Sequence, residues 1–195
     1  MTSKDADAAS RLAARAGRGD QSALAALIRL TQRDVWRYLA GQVGAGEADD
    51  LTQETYLRAI ATLPRFEGRS SIRTWLLVIA RRVVIDDIRR KMVRPRTVSG
   101  DGWQDLAETA QGRNRLGGSG TGPTDLVDIE LLLADLSPER REALVLTQVL
   151  GLSYQEAAAI CGCPIGTVRS RVARGREDLL AATRPNQVDG RAASS

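Results

Sequence analysis

The sequence predicts an all-α protein: two small helical domains joined by a flexible, glycine-rich linker, with a helix-turn-helix in the C-terminal domain. Three observations carry this. Aromatic residues are only 4% of the 195-residue chain, while Ala and Leu fill much of its apolar fraction, which favours helix over sheet. Apolar residues recur at spacings of three and four along most of the chain. Residues 98–124 break that pattern with seven glycines and the pair Gly122-Pro123, the composition of a linker. The expected organisation is an N-terminal domain at 1–96, a linker at 97–124, a C-terminal domain at 125–183 and a polar tail at 184–195.

Each element has local signals. Asp20 caps a helix running to Val43, with Leu24, Leu27, Ile28, Val35, Trp36 and Leu39 on its apolar face; Gly41 and Gly44 weaken its end. A second helix runs from about Asp50 to Leu63 and stops at Pro64. A third runs from about Ser71 to Met92, facing Ile72, Trp75, Leu76, Ile79, Val83 and Ile88 inward, with Pro95 at its limit. In the C-terminal part Asp125 caps a short apolar helix to Leu136. Ser137-Pro138 then combines an N-cap with proline at the first helical position, and Gly151 ends that helix. Ser153-Tyr-Gln-Glu156 fits a capping box opening a short helix to about Ile160. Gly162-Cys163-Pro164 makes a turn, and Ile165 to Leu180 forms the last helix. Two short helices across a glycine-containing turn are a helix-turn-helix, with small Ala158 and apolar Val168 and Val172 at the crossing.

Composition removes several functions. The chain has no histidine, so Ser-His-Asp catalysis, Cys-His catalysis and histidine-containing metal or haem sites are excluded. Two cysteines make neither a Cys₄ zinc site nor a disulfide framework, and Cys161-Gly-Cys163 has the wrong spacing for a helical redox pair, so both read as small apolar residues. Ser70 and Ser71 have no histidine or lysine to activate them. Lysine is reduced to Lys4 and Lys91; arginine, which never acts as a base, replaces it. No apolar run approaches a membrane span, and the polar N-terminus carries no signal-peptide core, so the expected compartment is the cytoplasm. Composition leaves carboxylates as the main remaining catalytic groups, with no metal-ligand set beside them.

Charge is blocked. Residues 47–54 hold four acids and no base; 65–96 hold ten bases against three acids; 125–142 hold six acids against two bases; 165–176 hold four arginines and no acid. The net charge of +4 and a pI near 9.6 hint at a polyanionic partner. Thr167, Arg169, Ser170, Arg171, Arg174 and Arg176 crowd the N-terminal half of the last helix. There a helix-turn-helix meets base edges, and the arginine fork matches guanine O6 and N7. Arg81, Arg82 and Arg89 follow the loop from Phe66 to Ser71. Aromatic and small polar groups beside arginines suit an unstacked single strand, although Phe66 and Trp75 also fit a core. Asp50 and Glu54 share a helical face and read as a docking face, a solvated face or, least well, a carboxylate pair for metal-dependent nucleic-acid chemistry.

Together the motifs Asp50-Leu-Thr-Gln-Glu-Thr-Tyr-Leu-Arg-Ala59, Thr74-Trp-Leu-Leu-Val-Ile-Ala80, Gly151-Leu-Ser-Tyr-Gln-Glu-Ala-Ala158 and Cys163-Pro-Ile-Gly-Thr-Val-Arg-Ser-Arg171 resemble an extracytoplasmic-function (ECF) sigma factor of the sigma-70 superfamily, in particular the C-type of actinobacteria. The resemblance covers about residues 20–182. It implies a sigma subunit of bacterial RNA polymerase, a non-enzyme with no cofactor and no metal, with core polymerase and promoter DNA as partners and an anti-sigma factor as a further candidate. It implies docking by Asp50, Gln53, Glu54 and Tyr56 on the β′ clamp helices, with further contact to β. The −10 element falls to Phe66, Arg69, Ser70, Ser71, Arg73, Trp75, Arg81, Arg82 and Arg89, and the −35 element to the arginine-rich last helix. The linker would run through the polymerase toward its active-site and RNA-exit region. One departure stands out: where the family commonly has asparagine after Ile79-Ala80-Arg81, this chain has Arg82, which either alters base preference at −10 or meets phosphate. The alternative from a different class is a helix-turn-helix regulator that is no polymerase subunit.

Overall fold

The computed structural model describes residues 3–93 and 135–182, and among these there is no strand. The helices are α1 (Ser3–Ala16), α2 (Gln21–Val43), α3 (Ala45–Thr62), α4 (Ile72–Val93), α5 (Pro138–Leu144), α6 (Tyr154–Cys161) and α7 (Ile165–Ala182), with a 3₁₀ turn at Leu63–Arg65. The expected helix from Asp125, the linker and the C-terminal tail lie outside the described residues.

Most capping signals act as read; Ser137 holds the N-cap position before Pro138 but makes no side-chain cap bond. Asp20 accepts from the Ala23 amide at 2.9 Å and from Arg15 at 2.7 Å, and its carboxyl is held below the usual range by the amide first and Arg15 second. Pro64 converts the end of α3 into the 3₁₀ turn. Ser71 Oγ accepts from the Thr74 amide at 3.0 Å and opens α4. Ser153 and Glu156 close a full capping box, and Gly162 ends α6 in the left-handed conformation.

Four features differ from the sequence expectation. Helix α3 begins at Ala45, a full turn before the expected start near Asp50. Helix α1 precedes the first predicted helix; Ala9 and Ala13 are buried and Leu12 and Ala16 pack beside them, a stripe of helical period made mostly of alanine that the sequence reading passed over. Ile88, expected inward, is 40% exposed, and every residue from there to Val93 is exposed as well, with Lys91 held at the surface by Glu47 of α3. The helix after Pro138 does not run regularly to Gly151 but widens into a π-turn over Val145–Val149.

Helices α1–α4 pack as one bundle; α5 packs against α2 and α6 against α4, while α7 packs on α5 and α6. The two halves share one continuous apolar core, from Leu27, Leu39, Leu76 and Val83 to Leu144, Leu146, Ile160 and Val168. Gly41 sits at this seam: a Cβ there would lie 2.7 Å from Val145 Cγ2, so the two helices meet backbone to side chain. Within the C-terminal half, Gly175 admits Leu144 in the same way, at 2.8 Å.

Candidate functional site

Three surfaces carry the predicted site residues, and a buried polar cluster joins the halves between them. On α3, Leu51, Thr55, Tyr56 and Ala59 turn inward and leave Asp50 and Gln53 exposed, with Glu54 half-exposed. The acids here are mostly anchored. Glu54 accepts from Arg58 at 2.7 Å, and the same guanidinium reaches Asp86 of α4 at 2.5 Å. These bonds, Asp86 first, raise the Arg58 pKa, and Arg58 holds the Asp86 carboxyl below its usual range. Asp49 accepts from the Trp36 indole at 2.8 Å, and Lys91 bridges Glu47 and Asp87. Asp50 is exposed and forms no ion pair among the described residues. Tyr56 does not join this face. Its ring is 9% exposed, and its hydroxyl meets Thr31 Oγ1 at 2.8 Å in the core. Since Thr31 donates its own proton to Leu27 O, Tyr56 is the donor of that bond. Burial pushes the Tyr56 phenol up to about 12.

The loop before α4 forms an open cleft of about 190 Å³ lined by Arg65, Phe66, Glu67, Gly68, Arg69, Ser70 and Trp75. Phe66 and Trp75 meet with ring centroids 5.1 Å apart and planes tilted by 51°. The core reading of these rings holds, since both are partly buried against the core, and both also line the cleft. Arg69 is exposed and pairs with Glu67 at 2.5 Å. Ser70 is exposed, while Ser71 is half-buried and occupied with Thr74. Arg82 and Arg89 point to solvent on α4.

Arg73 and Arg81 do not face solvent in the same way. Arg73 is 8% exposed; its Nε donates to Asp34 of α2 at 2.6 Å and its Nη2 to the Leu150 carbonyl at 2.7 Å. Arg81 Nε donates to Glu142 of α5 at 2.9 Å, and the Tyr38 hydroxyl donates to the same oxygen at 2.7 Å. Glu142 is 7% exposed and Tyr38 1%. Burial, then the adjacent Glu142 carboxylate, drives the Tyr38 phenol well above its ordinary pKa, so it stays a donor at neutral pH. Burial opposes the charge on Arg81, but Glu142 outweighs it and raises the guanidinium pKa. Cys161 borders this cluster, and burial, reinforced by Glu142, pushes its thiol up to about 12. The two halves are thus joined by a charge-assisted knot as well as by apolar contact.

On α7, Val168, Val172 and Gly175 are buried, which turns Arg169, Ser170 and Arg174 outward on one face. Ser170 Oγ donates to the Thr167 carbonyl at 2.9 Å. Arg171 is half-buried against Cys163 Sγ at 3.7 Å, and Arg176 donates to Gln148 at 2.6 Å. The sequence reading missed Glu142, Tyr38, Asp34 and Arg58. Only Glu142 carried a signal, as a lone acid heading the apolar run Ala143-Leu-Val-Leu146.

These surfaces and the fold define a class. Residues 27–93 match the model of sigma-70 region 2, and residues 126–179 that of sigma-70 region 4. The chain is 51% identical over 189 residues to the ECF RNA polymerase sigma factor SigC of Mycobacterium tuberculosis, covering 97% of this chain and 98% of that protein. It is 33% identical to the ECF RNA polymerase sigma-E factor of Escherichia coli, covering 86% and 90%. Among solved structures it resembles CnrH in complex with the cytosolic domain of CnrY (TM-score 0.67, 26% identity, 90% of this chain and 96% of that one). It also resembles the sigma factor RpoE in complex with the anti-sigma factor NepR from Bartonella quintana (TM-score 0.62, 29% identity, 81% and 96%). The chain belongs to the ECF RNA polymerase sigma factors. It is a sigma subunit that binds core RNA polymerase and directs promoter-specific transcription initiation. Among the described residues no helix is long and apolar enough to cross a membrane.

Proposed function

We propose that this sigma subunit divides its work among the three surfaces and that the free chain withholds one of them. Asp50, Gln53 and Glu54 dock the β′ clamp helices, with β contacted elsewhere; Tyr56 supports that face from inside by fixing α3 to α2. The cleft between Phe66, Ser70 and Trp75 takes an unstacked base of the −10 element beside the two rings that line it, while Arg69, Arg82 and Arg89 meet phosphate or base edges. Arg169, Ser170 and Arg174 read the −35 element, flanked by Thr167, Arg171 and Arg176. The chain carries no enzymatic activity, needs no cofactor and works in the cytoplasm. The Bartonella relative is seen with an anti-sigma factor, and a protein of that kind is a candidate partner here.

The observation that carries the reading is the occupation of Arg73 and Arg81. Both belong to the expected −10 surface, and both are bonded to the C-terminal half through Leu150 O and Glu142. Free chain therefore binds promoter DNA weakly, and core polymerase, by setting the two halves at promoter spacing, releases those donors. The test is reconstitution. Core polymerase with the wild-type chain should give promoter-specific transcripts where the chain alone binds the same DNA poorly. Asp50→Ala with Glu54→Ala should weaken core binding and leave the affinity of isolated chain for DNA unchanged. Tight, sequence-specific promoter binding by the chain without core would overturn the reading.

A further inference from the structure

The cleft before α4 holds one charge of the wrong sign for DNA. Glu67 is the single acid among the residues that line it, beside the cations Arg65 and Arg69. A carboxylate on a surface that receives a polyanion repels phosphate and weakens binding. The backbone sets this acid in place. Gly68 stands at φ +71, and a Cβ built there meets nothing within 4 Å, so conformation and not space requires the glycine. Across this left-handed turn Glu67 Oε2 meets Arg69 Nη2 at 2.5 Å, with the two side chains 63% and 86% exposed. A pair so open to water contributes about 0–1 kcal/mol, too little to explain the acid through stability. Its consequence for DNA is larger, because it cancels the charge of Arg69.

The bonding capacity of DNA decides what can compete for Glu67. An ionised carboxylate only accepts. The sugar-phosphate backbone within DNA also only accepts, so it cannot satisfy Glu67. An unpaired base can, since each of the four carries an N–H on the edge that pairing would otherwise occupy. We propose that Glu67 is a specificity filter of the −10 cleft, holding Arg69 from phosphate until an inserted base offers its N–H to the carboxylate. Backbone that merely passes the cleft gains nothing from Arg69; an inserted base bonds Glu67 and frees Arg69. Glu67 thus acts by penalising the wrong DNA. The inference rests on reading the cleft as the seat of an unstacked base.

The test uses assembled holoenzyme and two labelled single-stranded oligonucleotides, one with a −10 element and one scrambled. Binding is followed by anisotropy from about 50 to 200 mM salt. Glu67→Gln leaves Arg69 able to neutralise one more phosphate. On the scrambled strand the fall of log affinity with log salt should steepen by about 0.7, so the loss over that range grows about 2.6-fold. The −10 strand should gain less, and the affinity ratio between the strands should drop. Adding Arg69→Gln should return the scrambled-strand slope to wild type, which ties the change to that cation and not to a misfolded loop. An unchanged scrambled-strand slope overturns the proposal. So does an equal gain on both strands, which would make Glu67 a charge brake that reads no base. Trp75→Ala separates the filter from the cleft. If it abolishes −10 preference while Glu67→Gln leaves slope and ratio alone, the cleft stands and the filter falls. If it leaves −10 preference intact, the cleft falls and the filter with it.

Discussion

Glu142 is the residue whose removal should most change the free protein. Its single oxygen accepts from Arg81 at 2.9 Å and Tyr38 at 2.7 Å, at a site where Tyr38 is 1% and Glu142 7% exposed. Glu142→Ala strands a buried hydroxyl and a charge. Breaking a fully buried pair costs about 3–5 kcal/mol, but the Arg81 side chain is 31% exposed and recovers water, so about 2–3 kcal/mol is the expected loss. Each 1.4 kcal/mol is tenfold in an equilibrium, so contact between the halves should weaken roughly 30- to 150-fold. Fluorescent labels on α2 and α7 would report that separation by energy transfer, and DNA binding by the free chain would report the release of Arg81. Two further variants grade the effect. Tyr38→Phe removes one bond and leaves the ion pair, for about 1 kcal/mol, while Glu142→Gln keeps the shape and loses the charge. Circular dichroism checks that the helices of the C-terminal half persist. If Glu142→Ala lowers thermal stability but leaves label separation and free-chain DNA affinity unchanged, the cluster is ordinary core and does not govern access to the −10 surface.

Other consequences are smaller in scope. Tyr56→Phe should cost about 1 kcal/mol in thermal unfolding through the lost bond to Thr31 and leave core affinity unchanged; weakened core binding at unchanged stability would instead give Tyr56 the docking role the family resemblance implies. Arg169→Ala, on the outward face of α7, should relax selection at one −35 position by about 1–3 kcal/mol, seen as transcription from promoters mutated at that base; a uniform loss across all −35 sequences would make it a phosphate contact. Cys161 and Tyr56 are both pushed to about 12, above their ordinary values of 9 and 10. The unfolded chain sheds these protons first, so stability to denaturant should hold flat from pH 7 to about 8.5 and fall above about pH 9; a curve that stays flat to pH 10.5 would refute it.

How much of this the sequence shows follows from how local each signal is. The capping box at Ser153, the stop at Pro64 and the burial of Val168 and Val172 depend on residues within one turn of each other, and each appears where the local pattern puts it. The arginine face of α7 is legible for the same reason. Helix α1 was missed because its apolar period, Ala9, Leu12, Ala13 and Ala16, is made mostly of alanine and adds little bulk to the pattern. The partners of Arg73 and Arg81 were silent because Glu142 is 61 residues from Arg81 and Leu150 is 77 from Arg73, and such pairs leave no spacing to read. A basic block marks where arginines are, not which of them are free.

That difference bears on the order of events at a promoter. In the closed chain Asp50 and Gln53 are exposed and Glu54 is half-exposed, while Arg73 and Arg81 are engaged by the C-terminal half. A partner that binds α3 meets its surface already available; DNA that needs Arg73 and Arg81 must first displace Leu150 O and Glu142. Since the same donors cannot serve both states, any energy DNA gains from them is offset by the contacts it breaks, and DNA alone has little differential affinity with which to open the chain. A ligand that holds the halves apart through surfaces other than these arginines faces no such cancellation. On this reading core polymerase binds first and opens the chain, and promoter recognition follows. Glu142→Ala should therefore narrow the gap between free chain and holoenzyme in −10 binding mainly by raising the affinity of the free chain.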